Sequence, residues 1–188
     1  MPVSVKPRFA VLTVGKTHSG KTTFARELAG QLEPCVIIDQ DIHAAFLNTH
    51  YRMLSPEHEP YTLKYAVTNI ILERALETNL HVILCNANRS RKARLKLLRK
   101  LSASERTCVL VHFAIPDELL QERVAQTTRS TRILRTSANF QDVLTRQKLE
   151  STQPDFTPPA KTEAEHYFEL KHSTDSSKII ETILRLAQ

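Results

Sequence analysis

Eight consecutive residues constrain this chain more than any other feature: Gly15-Lys16-Thr17-His18-Ser19-Gly20-Lys21-Thr22. They fit the spacing glycine, four variable residues, glycine, lysine, then serine or threonine at every fixed position. The spacing has a physical cause. Glycines let the backbone curl until successive N–H groups point inward, making a concave anion site. A helix beginning at the end of the loop offers its positive N-terminus to the same anion. The flanks supply that context, with an apolar run, Phe9 to Val14, before the loop. A helix-forming run, Thr23-Phe24-Ala25-Arg26-Glu27-Leu28, follows it. Glycine is scarce, with only 3 in the chain, and two of them hold the fixed positions. The third, Gly30, stands where the first helix should end, the expected place for a C-terminal cap. The motif assigns the loop from Gly15 to Thr23 to the phosphates of a nucleotide. Lys21 is directed at the β- and γ-phosphates and the Thr22 hydroxyl at Mg²⁺. His18, at a variable position, is placed to contact the nucleotide, with a solvent-facing loop residue as the favoured alternative.

Beyond the loop, β-branched runs alternate with longer runs of helical period, which specifies an α/β fold with a parallel sheet. Expected strands are Phe9–Val14, Cys35–Ile38, Leu80–Cys85, Thr107–Phe113 and His166–Lys171. Expected helices are Gly20–Ala29, Tyr61–Thr78 (after turn material at Pro56 and Pro60), Ser90–Leu101, Asp117–Gln126, Phe140–Glu150 and Ser177–Leu186. A proline-rich connector with Pro154, Pro158 and Pro159 precedes the last strand. The 188 residues fit one domain.

Composition narrows the partners. No apolar run approaches the roughly 20 residues needed to span a bilayer, and the N-terminus lacks a signal-peptide core. A cytoplasmic protein with no membrane partner is expected. Cys35, Cys85 and Cys108 are far apart and fit neither a disulfide framework nor zinc spacing, so they read as buried small hydrophobes. The eight histidines form no metal-binding pair. A net charge of +6 favours an anionic partner without choosing among nucleotide, phosphorylated metabolite and nucleic acid.

The next inference rests on Asp39-Gln40-Asp41, at the end of the second strand. Ligands of open parallel sheets bind at the carboxyl ends of strands, so both acids can face the nucleotide. Phosphorylating a hydroxyl needs a base near the attacking oxygen and a carboxylate to hold the waters of Mg²⁺. Asp41 is the candidate base, and Asp39 the candidate for Mg²⁺ waters or acceptor binding. The competing reading is that Asp41 caps a helix starting Ile42-His43-Ala44.

Ile37-Ile38-Asp39-Gln40-Asp41 resembles the leucine-aspartate-glycine-aspartate segment of adenylyl-sulfate and gluconate kinases. It is also similar to the corresponding stretch of zeta toxins and phage polynucleotide kinase. In those families the second acid is the general base, which implies Asp41 here; Gln40 replaces the usual glycine. His81 to Asn88 resembles the polynucleotide-kinase-like segment in which an apolar strand leads into Asp, Thr, Asn. Asn86 stands where those relatives often place aspartate, and an amide carries no charge to a magnesium shell, which shifts weight onto Asp39. Asn88 and Arg94 match kept positions and are candidates for lining the acceptor site; a turn amide and a solvated arginine are the alternatives.

Two basic segments complete the pattern. Arg89, Arg91, Lys92, Arg94, Lys96, Arg99 and Lys100 crowd one helix whose Leu97, Leu98 and Leu101 give it an apolar side. A nucleic acid backbone could bind such a face, but without interleaved aromatic residues a solvated helix is favoured. The stretch Glu122 to Arg132, followed by Arg135, lies where small P-loop kinases carry a lid, here about residues 128–138. The resemblance implies that Arg129 and Arg132, then Arg123, close over ATP and expel water. It also maps the adenine-side loop loosely onto His172-Ser173-Thr174-Asp175.

The expectation is a three-layer P-loop NTPase fold with a five-stranded parallel sheet. The order 2-3-1-4-5 comes from the resemblance. The expected activity is ATP- and Mg²⁺-dependent transfer of the γ-phosphate to a hydroxyl of a small molecule, with no obligate protein partner. The alternatives are a polynucleotide 5′-hydroxyl kinase, a zeta-toxin-like nucleotide-sugar kinase, and an ATP-binding switch with slow hydrolysis and no acceptor.

Overall fold

The computed structural model describes residues 7–54, 62–134 and 136–187. Five strands form one parallel sheet: β1 (Arg8–Val14), β2 (Cys35–Ile38), β3 (His81–Leu84), β4 (Arg106–Phe113) and β5 (His166–Leu170). Their spatial order is β2-β3-β1-β4-β5, as the resemblance implied. The helices are α1 (Lys21–Ala29), α2 (Gln40–His50), α3 (Thr62–Leu76), α4 (Arg91–Ser102), α5 (Asp117–Ala125), α6 (Phe140–Glu150) and α7 (Ser176–Leu186). Pro56, Pro60, Tyr61 and Arg135 lie outside the described residues.

A parallel sheet covered on both faces buries most positions of its inner strands β3, β1 and β4, which explains why they read as near-continuous apolar runs. In β1, Phe9 and Val11 join one core with Phe24, Leu28, Ile83, Val109, Leu144 and Ile183. Ala10 and Leu12 join the other, with Leu72, Leu84, Leu98, Leu101 and Leu110. The two-residue alternation of side chains thus feeds two cores, one under α1, α6 and α7, the other under α3 and α4. The register Ala10↔Val82 and Ala10↔Cys108 puts β1 at the centre, so the loop after it opens at the middle of the sheet's carboxyl edge.

Several arginines work inside this scaffold. Arg106 is buried and donates to the carbonyls of Ala75 (3.1 Å), Leu76 (3.2 Å), Thr78 (2.8 Å) and Leu80 (3.3 Å). It gathers carbonyls from the last turn of α3 and from the turn that follows, where a cation also suits the helix dipole. Among the described residues no helix is long and apolar enough to cross a membrane.

Candidate active site at the carboxyl edge of the sheet

The loop between β1 and α1 is shaped by conformation and close packing. Gly20 adopts φ 98°, and His18 also has positive φ, at 57°. At Gly15 a Cβ would stand 2.8 Å from Phe113 Cβ and 3.1 Å from its carbonyl oxygen, so β4 packs against the bare backbone. The Gly15 amide donates to Ala87 O (3.0 Å), tying the loop to the end of β3. Gly20 gives α1 no side-chain cap. The first-turn amides therefore have no side chain competing with an incoming anion.

Lys21 folds back into the loop, its ammonium donating to Lys16 O and to Ser19 Oγ (3.0 Å). Burial pushes its pKa down to about 8; Arg129 adds to the effect while Asp41 and Asp39 oppose it. A half-buried cation held, among the described residues, by a carbonyl and a hydroxyl and by no carboxylate has charge to spare for a phosphate, so the residues present fit one. Mg²⁺ fits less completely. Thr22 Oγ1 and Asp39 are available, but among the described residues no group of three or more His, Cys, Asp or Glu could hold a metal ion. An ion here would depend on phosphate and water oxygens for its remaining ligands.

The carboxylates stand as a pair beside this loop. Asp39 is buried, and its Oδ1 accepts the Asp41 amide at 2.8 Å. Asp39 therefore caps α2, and Asp41 sits in the first turn; the reading of Asp41 as the cap is corrected. The reason is that the helix begins at Gln40, two residues earlier than Ile42. Burial raises the Asp39 pKa and repulsion from Asp41 adds to it, while the Asp41 amide, Arg129 and Lys21 hold it down. Asp41, half-buried, receives Arg129 Nη2 at 2.7 Å.

The end of β3 sends two neighbouring side chains to different places. The side chain next to Thr22 is Cys85, whose Sγ lies 3.6 Å from Thr22 Oγ1. Asn86 turns to the opposite face, where its Oδ1 accepts the Gln40 amide at 2.8 Å and its carbonyl receives Thr13 Oγ1. Neighbouring side chains at a strand end point opposite ways. Cys85 thus shares the α1 face with Ile83, and Asn86 braces the start of α2. The position facing the hydroxyl of Thr22 carries a thiol, pushed up to about 11 by burial. Cys108 is buried as expected, and Cys35 is half-buried.

The lid segment folds over both. His18 is not solvent-facing: its Nε2 lies 2.9 Å from Thr127 Oγ1 and its ring meets Phe140 edge-on at 4.8 Å. Burial lowers its pKa, and Arg129, Lys21 and Arg123 lower it further. The guanidinium of Arg123 donates to His18 O (3.1 Å), so it braces the loop backbone. Arg129 reaches Asp41 and lies over the Phe140 ring. Arg132 lies further along α2, its carbonyl accepting Asn48 Nδ2 at 2.8 Å. Lys16 pairs with Asp117. The Thr17 amide donates to Gln147 Oε1 at 2.7 Å. The last contact was not legible in sequence, since Gln147 is a buried polar residue of α6, 130 positions away.

Some candidates do not reach this site. Arg94 is fully buried and grips Glu163 through Nε (2.6 Å) and Nη2 (3.0 Å). Arg89 is also buried, donating to Glu150, Gln147 O and Ser151 Oγ. Both alternatives for Arg94, acceptor-site and solvated, are corrected, and the expected basic face loses two of its seven cations. Asn88, at φ 43°, is a turn amide that donates to Thr13 O (2.9 Å). In the β5–α7 loop, Asp175 accepts the amides of Lys171 and His172.

A family model described as "AAA domain" matches residues 11–149. No curated protein matches the chain. Among solved structures, a protein provisionally assigned as a kinase, from Chloroflexus aurantiacus, superposes with a TM-score of 0.68 at 16% identity. The match covers 97% of this chain and 100% of that one. Kti12 of Chaetomium thermophilum, in complex with ADP-AlF3, gives 0.61 at 17% identity, covering 95% and 99%. A gluconokinase of Sinorhizobium meliloti gives 0.56 at 17%, covering 97% and 93%.

Proposed function

This chain belongs to the AAA domain family and has the P-loop kinase fold, and from that premise we propose that it transfers the γ-phosphate of ATP to a hydroxyl of a small molecule. The observation that carries the reading is geometric: Asp39 and Asp41 open α2 at the carboxyl edge of the sheet, beside the phosphate loop, and a lid arginine is bonded to Asp41. A hydrolase or switch needs the phosphate loop; a second acid directed at an incoming hydroxyl serves transfer.

In this reading the loop from Gly15 to Thr23 cradles the phosphates, with Lys16, His18 and Ser19 among the residues offering amides, while the Gly15 and Thr17 amides hold the loop in place through Ala87 O and Gln147 Oε1. Lys21 holds the β- and γ-phosphates. Thr22 and, through water, Asp39 would hold Mg²⁺, which when bound neutralises charge on the phosphate oxygens. Asp41 takes the hydroxyl proton as the acceptor oxygen bonds to the γ-phosphorus and the bond to the bridging oxygen breaks, leaving ADP. Arg129 leaves Asp41 for the equatorial oxygens, which frees the base at the moment the lid excludes water. The names of the gluconokinase and of the Chloroflexus aurantiacus protein provisionally assigned as a kinase support this class of reaction.

The test is γ-phosphate transfer from labelled ATP across nucleosides, sugars, nucleotide sugars, adenylyl sulfate and 5′-hydroxyl oligonucleotides, with Lys21→Ala as the blank. Asp41→Asn is expected to keep ATP affinity and to lower transfer by about 10²-fold or more. Undiminished turnover in that variant refutes Asp41 as the base. One observation favours a second reading, a nucleotide switch with slow hydrolysis: Cys85 rather than an acid faces Thr22. Any stoichiometric phospho-acceptor sinks that alternative.

A further inference from the structure

A cavity of about 360 Å³ opens between α2 and the lid, lined by Asn48, Thr49, Arg52, Thr131, Arg132 and Leu134. Two arginines, two threonines and an amide make this lining rich in donors, and among the described residues it includes no carboxylate. Such a wall attracts an anion and can fork two guanidinium groups onto its oxygens.

Its position follows from helix geometry. Asp41, Ala45 and Asn48 recur at the i, i+4, i+7 spacing that puts side chains on one helix face. Asn48 sits seven residues beyond Asp41, about 10 Å along the axis at 1.5 Å per residue. Between them the face carries the methyl of Ala45, over which the lid passes from Asp41 to Asn48. The lid follows the same line. Arg129 bonds Asp41, and three residues on, a span of at most about 10 Å, Arg132 is fixed above Asn48. Asn48 also approaches Leu134 O (3.5 Å), so the lid is seated on α2 at both sides of Arg132.

We propose that this cavity holds an anionic group of the phosphate acceptor. The acceptor class is then a small polyhydroxyl compound bearing a phosphate or carboxylate at the end remote from the hydroxyl that is phosphorylated, no more than about 10 Å away. This rests on the phosphotransferase reading above and assigns Arg52 and Arg132 to the acceptor, leaving Arg129 to ATP. Arg132 therefore sets specificity, and the lid closes on both substrates with a single segment.

The experiment saturates the protein with a non-hydrolysable ATP analogue and Mg²⁺, then titrates matched probes calorimetrically. The pairs are ribose 5-phosphate against ribose, gluconate against glucose, and cytidine 3′-monophosphate against cytidine. A short 5′-hydroxyl oligonucleotide is added as a separate arm. At least one anionic probe should bind about tenfold or more tighter than its neutral partner. Arg52→Gln and Arg132→Gln should each cost that probe about tenfold, the loss expected for a charge-assisted hydrogen bond. Arg52→Gln should leave affinity for the ATP analogue within about twofold, which also reports that it is folded.

Equal binding within every pair, or anion binding that survives both substitutions, overturns the proposal. Binding confined to the oligonucleotide overturns the small-molecule class. Labelled transfer separates the two layers of the argument. Transfer to neutral and anionic acceptors alike keeps the phosphotransferase and removes the anion site. Arginine-dependent anion binding with no transfer to any acceptor keeps the site and removes the phosphotransferase.

Discussion

Replacing Arg94 with methionine should destabilise this protein severely, although the sequence places it in a run of surface-like cations. The side chain of Arg94 is 0% exposed and that of Glu163 is 5% exposed. Beyond the two bonds to Glu163, Arg94 donates through Nη1 to Asn88 O (3.1 Å) and Arg89 O (3.0 Å). Methionine matches the volume of the stem but leaves a buried carboxylate and two carbonyls without their donor. Breaking a buried pair from one side costs about 3–5 kcal/mol. For a chain of this size each kcal/mol moves the melting temperature by about 2–4 °C, so a fall of about 6–20 °C is expected. Burial alone would raise the Glu163 pKa, but the Arg94 hydrogen bonds and the Ala160 amide hold it below the ordinary 4.5. A lowered acid contributes stability above its unfolded pKa and loses it as pH falls through the folded value. The gap between wild type and Arg94→Met should therefore be full at pH 7 and shrink on acidification below about 4.5. Urea unfolding of wild type, both single variants and Arg94→Met/Glu163→Met measures the coupling, which should reach about 2 kcal/mol or more. A single-variant loss under about 1 kcal/mol, or a cycle that is purely additive, would refute the reasoning.

Gly15→Ala should both destabilise and disarm the loop. The new methyl meets backbone and Cβ of Phe113 at 3.1 and 2.8 Å, an overpacking cost of about 1–3 kcal/mol, and ATP-analogue affinity measured by calorimetry should fall with it. Wild-type affinity in that variant would show that β4 gives way. His81 sets an acid limit. Its Nδ1 accepts the Phe9 amide at 3.0 Å, so the ring must be neutral there, and burial together with Arg106 lowers its pKa. A lowered histidine contributes stability above the unfolded value near 6.5 that is lost as pH falls towards the folded one. Unfolding free energy should drop between pH 7 and 5, and His81→Gln should flatten part of that slope; an unchanged slope would remove His81 as its source.

What the sequence determined is what neighbouring residues can dictate. The phosphate loop is contiguous, its glycines are needed for local φ or close approach, and its Lys21 and Thr22 follow at fixed offsets, so eight residues suffice to read it. The alternating runs gave five strands and their helices because a doubly covered sheet leaves its apolar signature on each strand separately. The Asp39–Asp41 pair was legible for the same reason, being two residues apart at a strand end. Tertiary structure decided where side chains distant in sequence meet. Arg94 could be charged surface or buried anchor until Glu163, 69 positions later, folded onto it. Arg129 acquired its contact with Asp41 across 88 positions, and Gln147 reached the loop only because α6 packs beside it. At the end of β3 the parity shared by Ile83 and Cys85 was a usable signal, yet the side facing Thr22 was fixed only when α1 covered one face of the sheet. Local geometry is written in the chain because each residue's neighbours are given; partners across the fold are chosen by packing, which no single segment contains.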